Sequence, residues 1–120
     1  ILEARINEME VTLANATVVD DSQLSKDEIN VGSVIKIKDI IYIERDGRRI
    51  NVVTGDGNFS VYESLSKVQE RLTERFIRCH TGFIVNMDYV AYRTKDKLIL
   101  ITDKILPIGR AYISDIKKFR

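Results

Sequence analysis

The chain has one cysteine, one histidine and no long apolar run. A single cysteine excludes an internal disulfide framework and makes a reducing, cytoplasmic setting the simpler expectation. One histidine and one cysteine cannot complete a zinc site by themselves, because zinc takes at least three protein ligands. The longest apolar runs are "IIYI" at 40–43 and "LILI" at 98–101, far short of the roughly 18 residues that mark a membrane helix. No basic-then-apolar start marks a secretory signal. Tryptophan is absent and proline occurs once, which excludes nothing. Carboxylates are plentiful, but none has the spacing of a paired acid and base. The sequence therefore offers no constellation for an enzyme, and neither a metal nor a cofactor is expected.

What is present fits one ordinary domain. At 120 residues, 44% hydrophobic and 31% charged, the chain has globular composition and is too short for two well-stabilised domains. It opens with Ile1 and not Met, so a fragment of something longer is expected. The net charge of +1 conceals an asymmetry. Residues 1–30 hold two bases against seven acids, and the remainder holds 17 bases against 11 acids. A basic body behind an acidic leader is compatible with a polyanionic partner, although such an excess is common among soluble domains.

In the leader, Leu2, Ile6, Met9, Leu13 and Ala16 recur at heptad-like spacing. That predicts one apolar face of a helix over 1–26, either packed on its own domain or serving as a linker or dimerising helix. "TVVDD" at 17–21 reads as linker. From about residue 27 the pattern becomes β-rich, so 27–120 is expected to form the domain. "EINV", "VIKIK", "IIYIER" and "RINVVT" are short runs, several of period two. "DG" at 46–47 is the strongest hairpin signal, and "GDGN" at 55–58 a second turn before "FSVY". One internal helix follows, with Leu65, Val68 and Leu72 as its stripe. Ser64 or Ser66 can cap it, and Ser66 with Gln69 has capping-box spacing. "YVAYRT", "LILIT" and "ILPI" alternate with turns, and "RAYISDIKKF" can close the chain as a helix with its bases near the C-terminus. The expected fold class is mostly β with short helices: antiparallel sheets, one internal helix, a helical leader and a C-terminal helix.

"FIRCHTGFIVN" at 76–86 holds both Cys79 and His80. Neighbours on a strand point to opposite faces, so the two side chains diverge if the strand stays extended through His80. That argues against a nucleophile–base pair. Cys79 reads as a small buried hydrophobe, or as a redox-sensitive thiol only if it is exposed. His80 reads as a histidine satisfied by backbone, or as a phosphate or base contact.

"KDIIYIERDGRR" (38–49), "VYESLSKVQERL" (61–72), "RFIRCHTGFIVNMDYV" (75–90) and "LPIGRAY" (106–112) resemble the LytTR family in order and spacing. The likeness spans about residues 28–120. It implies a bacterial DNA-binding domain, typically the C-terminal output module of response regulators. In that family an elongated scaffold of antiparallel sheets presents loops to successive major grooves of double-stranded DNA. The implied contact loops are the hairpin tip Asp46–Arg49, the turn His80–Gly82 and the segment around Arg110. Arg48 and Arg110 carry planar forks suited to guanine O6 and N7, and Thr81 can give one hydrogen bond or a methyl contact. Arg49, Lys67, His80, the Gly82 backbone N–H and Lys117 are the expected phosphate contacts, which position without specifying. Without the resemblance each Arg or Lys reads as a solvated surface charge. Phe76, Phe83, Val85 and Asn86 are expected to pack or fix turns.

Two departures stand out. Thr81–Gly82 follow the histidine where the family often has a basic or amide residue. Gly109 and Ala111 flank Arg110 where the family often has serine before the arginine and a basic or polar residue after it. Both remove hydrogen-bonding capacity at implied contact loops. Modest affinity for a single domain is therefore expected, with two copies on paired repeat sites giving useful binding. A homodimer through the leader or an adjacent domain would serve that arrangement. The competing expectation is a β-rich protein-interaction module with a basic face.

Overall fold

The computed structural model describes residues 25–119. The leader helix expected over 1–26 lies outside the described residues, save Ser25 and Lys26. From there the chain forms a hairpin of β1 (Glu28–Asn30) and β2 (Val34–Lys36). A five-stranded sheet follows, made of β3 (Ile40–Asp46), β4 (Arg49–Thr54), β5 (Gly57–Val61), β6 (Phe76–His80) and β7 (Phe83–Asn86). Its order is β5-β4-β3-β7-β6, and α1 (Leu65–Gln69) connects β5 to β6. β8 (Val90–Arg93), β9 (Lys97–Leu100) and β10 (Ile105–Pro107) make a three-stranded sheet in the order β10-β9-β8. All pairings are antiparallel, and α2 (Ile113–Lys118) ends the chain. The mostly β class with open sheets and short helices is as the sequence predicts.

The five-stranded sheet is covered on both faces, which explains the "IIYI" run. A strand buried on both sides reads as continuous apolar sequence and not as alternation. Ile40 and Ile43 enter one core beneath α1 and the β1–β2 hairpin. Ile41 and Tyr42 enter a second core against the three-stranded sheet and α2. A register shift between Ile40 and Tyr42 leaves Ile41 as the extra residue, which lets two successive side chains share a face. β4 meets the first core with Ile50 and Val52, both fully buried. Each such side chain contributes about 1.5–3 kcal/mol relative to exposure.

Local signals resolve as follows. Ser64, not Ser66, caps α1: its Oγ accepts from the Lys67 N–H at 3.2 Å. Ser66 sits inside the helix, so the Ser66–Gln69 capping box does not form. The helix stops after five residues, yet Leu72 still packs on the first core beyond it. The C-terminal helix begins later than the pattern suggests, because Arg110–Tyr112 forms a 3-10 turn before α2. Asn86 fixes a turn, as expected. It is 1% exposed, its Nδ2 donates to the Ile40 carbonyl at 2.9 Å, and its Oδ1 accepts from the Asp88 N–H at 3.0 Å.

Candidate nucleic-acid interface

The antiparallel register brings the expected loops to one end of the five-stranded sheet. β3 ends there as Asp46 pairs with Arg49, β5 ends as Val61 pairs with Ile50, and β6 turns into β7 as His80 pairs with Phe83. At the hairpin tip the two loop residues are Gly47 and Arg48. Gly47 has φ +63° while Arg48 has an ordinary negative φ, so glycine takes the first central position, as in a type II′ turn. Arg48 is left exposed at the apex, and its side chain makes no hydrogen bond or ion pair among the described residues. Arg49 is held instead: its Nη2 donates to the Tyr62 hydroxyl at 3.0 Å, and its guanidinium lies 4.3 Å from the centre of that ring.

The β6–β7 turn departs from plain alternation. A register shift between Arg78 and His80 leaves Cys79 as a bulged residue. The expected divergence of Cys79 and His80 therefore does not hold, and both meet the second core. Cys79 is fully buried within that core. The His80 ring lies 5.7 Å from that of Phe83, which packs on the same core. No catalytic pair results. Burial pushes the Cys79 thiol up to about 12, and its Sγ faces the Phe83 carbonyl at 3.9 Å. It is the buried hydrophobe of the two readings.

Arg78 clamps the turn from outside. Its Nε donates to the His80 carbonyl at 3.1 Å and its Nη2 to the Thr81 carbonyl at 2.7 Å. The Gly82 N–H donates to His80 Nδ1 at 3.1 Å. That bond makes Nδ1 an acceptor and leaves the ring proton on Nε2. The Gly82 N–H, expected to face a phosphate, is engaged within the turn in this conformation. Thr81 is exposed, with Oγ1 3.5 Å from His80 Nδ1.

Arg110 reaches the same place through the second sheet. Ile108 N–H donates to the Asp96 carbonyl, and Gly109 N–H to the Cys79 carbonyl at 2.8 Å. The 3-10 turn that starts at Arg110 is thereby pinned to the end of β6. The approach is close: a Cβ at Gly109 would lie 3.1 Å from the Tyr112 ring and 3.5 Å from His80 Cα. A larger residue at 109 would therefore have to shift the Tyr112 ring by a few tenths of an ångström. His80, Thr81 and Arg110 thus sit together, with the Arg48 tip on the same sheet end. Lys67 is exposed on α1. Lys117, on α2, lines a cavity of about 400 Å³ with Arg93, Lys95, Ile108 and Ile113.

Residue-level reading missed Arg45 and Arg78. Both line a cavity with Arg48 between the hairpin tip and the start of α1. The signal for Arg78 was available, because it stands in the segment at 75–90 that carries the family resemblance. Among the described residues no three His, Cys, Asp or Glu side chains group to hold a metal ion, and no helix is long and apolar enough to cross a membrane.

A family model described as the LytTr DNA-binding domain matches residues 33–120. The sensory transduction protein LytT of Bacillus subtilis is 30% identical over 118 residues, covering 87% of this chain and 49% of that protein. The transcriptional regulatory protein NatR of the same organism is 37% identical over 60 residues, covering 49% of this chain and 26% of that protein. The chain thus spans about half or less of the length of these relatives. A shorter match, 46% identical over 43 residues, is to the transcription elongation factor GreA of Clostridium novyi, covering 36% of this chain and 27% of that protein. Among solved structures, the LytTr DNA-binding domain of a protein described as a methyl-accepting/DNA response regulator from Bacillus cereus superposes with a TM-score of 0.65. The identity is 23%, over 71% of this chain and 84% of that one, a likeness of fold.

Proposed function

The chain belongs to the LytTR family of DNA-binding domains, and on that premise we propose that it reads double-stranded DNA in a sequence-specific manner through loops in the major groove. The observation that carries this reading is the meeting of the His80–Thr81 turn with Arg110 at the sheet end that also bears Arg48. Base contacts are assigned to Arg48, Thr81 and Arg110, the two arginines because a guanidinium without an internal partner can fork onto guanine O6 and N7. Phosphate contacts are assigned to Arg49, Lys67, His80 and Lys117. The Gly82 N–H sets the His80 ring so that Nε2–H is the available donor, and reaches a phosphate itself only in competition with Nδ1. The likeness to LytT, a sensory transduction protein, and to NatR, a transcriptional regulatory protein, supports placement as the output domain of a cytoplasmic two-component regulator acting on transcription. Two copies on paired repeats compensate for the weak side chains at Thr81, Gly109 and Ala111.

Fluorescence anisotropy with duplex DNA across a salt series tests the reading, because log K should fall linearly with log salt by several phosphates' worth of counterion release. Arg110→Ala should then weaken specific binding by about 1–3 kcal/mol and relax discrimination at one base pair. The match to GreA, a transcription elongation factor, favours a second reading. There the chain acts in transcription as a β-rich protein-interaction module, and its basic face takes a protein partner. A folded chain with no detectable DNA binding at low salt would select that alternative.

A further inference from the structure

The cavity between the hairpin tip and the start of α1 has a volume of about 560 Å³. Arg45, Arg48 and Arg78 line it, together with Ser64, Ser66 and Glu63. Its charge is one-sided. Among the described residues Glu63 is the only acid in the lining, and it is committed elsewhere, accepting from Arg71 Nη2 at 2.6 Å. Arg45 and Arg48 are exposed, and neither side chain has a hydrogen bond or ion pair among the described residues. Arg78 is half-buried and spends its Nε and one Nη2 proton on two carbonyls, which leave its full positive charge uncompensated. A guanidinium has five N–H donors, so three remain. Ser66 adds a hydroxyl, and Ser64, whose Oγ accepts from the Lys67 N–H, keeps its own proton to donate. Three like charges around one concavity repel one another and cost stability unless an anion enters between them.

We propose that this cavity is a seat for a phosphate group of the DNA backbone, and that Arg78 joins the seat to the turn that carries His80 and Thr81. The inference rests on the DNA-binding reading for the source of the phosphate, and on the cavity's own charge for the site. An oxyanion there takes charge-assisted hydrogen bonds from the arginine forks and the serine hydroxyls. Arg78 holds the His80 and Thr81 carbonyls with one edge of its fork and offers the other edge to the phosphate. Occupation of the seat therefore stiffens the turn beside it, so that a backbone contact without sequence information steadies a contact that has it. Arg45 closes the seat from the hairpin side, and Arg48, whose fork is assigned to a base, adds its charge at the rim.

Two measurements test the seat. In the first, specific and unrelated duplexes are titrated across a salt series with wild type, Arg45→Ala and Arg78→Lys. Arg45→Ala should weaken both duplexes by a common factor and flatten the salt slope by about one. Arg78→Lys keeps the charge but loses the fork, so it should retain the slope while the ratio of specific to unrelated binding falls. In the second, inorganic phosphate is titrated into wild type and Arg45→Ala without DNA, following the amide signals of Gly47, Ser66 and Thr81. Saturable shifts that Arg45→Ala weakens are expected. The seat is overturned if wild type shows no saturable shift, or if both variants bind DNA with wild-type affinity, slope and discrimination while Arg110→Ala still loses specific binding. A chain that binds phosphate at the seat but no duplex keeps the seat and overturns the DNA reading instead.

Discussion

Cys79 and His80 are adjacent in sequence and have separate fates, for reasons that lie in single bonds. The bulge at Cys79 turns both side chains toward the second core, where one is swallowed and the other stays half-exposed at the rim. Desolvation raises the thiol to about 12 from an ordinary 9.0. A buried neutral thiol is neither nucleophile nor redox sensor, so iodoacetamide should label Cys79 only in denaturant. The linkage has a definite sign. Below pH 9 the thiol is protonated in folded and unfolded chains alike. Between pH 9 and about 12 only the unfolded chain releases the proton, so this group's contribution to stability drains away as pH rises through that window. Urea midpoints measured at pH 8 and pH 10.5, roughly, should fall more for wild type than for Cys79→Ala. Equal falls would show that the thiol titrates normally.

At the scale of elements, β3 joins the two cores, because it is central in its sheet and buried on both faces. Ile43 is fully buried against α1, and its pairing partners on either side are Val52 and Ile84, also fully buried. Ile43→Ala should therefore cost about 2–5 kcal/mol, through lost transfer energy and a cavity that its buried neighbours cannot easily fill. Equilibrium denaturation measures it, and a loss below about 1 kcal/mol would mean that the site collapses around the gap. The same element scale shows what local sequence could and could not specify. "IIYI", the "DG" hairpin and the Leu65–Val68 stripe were legible because each is set by contacts a few residues apart, or by burial alone. The choice of Ser64 over Ser66 as cap was not, since both lie in a serine-rich approach and packing of Leu65 and Val68 decides where the helix starts. The bulge at Cys79 was equally hidden, because it depends on register against β7.

For the whole molecule, the decisive arrangement is the meeting of loops distant in sequence. Arg48, Thr81 and Arg110 lie about thirty residues apart in turn, and antiparallel pairing with the Gly109–Cys79 hydrogen bond brings their segments to one end. A single such end offers two arginine forks and one threonine for reading bases. One copy should therefore bind a one-site duplex in the micromolar range at physiological salt, and a duplex with two adjacent sites far more tightly only when copies are linked. Titration of chains with and without a dimerising fusion against one-site and two-site duplexes checks this. Nanomolar binding of one unlinked copy to one site would refute it.

The sequence by itself determined that the chain has no disulfide framework and that it is built of short antiparallel strands with one internal and one C-terminal helix, and the resemblance of four ordered segments pointed to one family. Those properties follow from residue type and local spacing, where propensity, period and turn chemistry act within a few residues. Only the tertiary structure decided that the Gly82 N–H serves His80, that Arg78 clamps the turn, and that Arg45 joins Arg48 and Arg78 around one cavity. Each of these depends on which side chain fills the space beside a loop, and that is settled by register and packing between strands far apart in sequence.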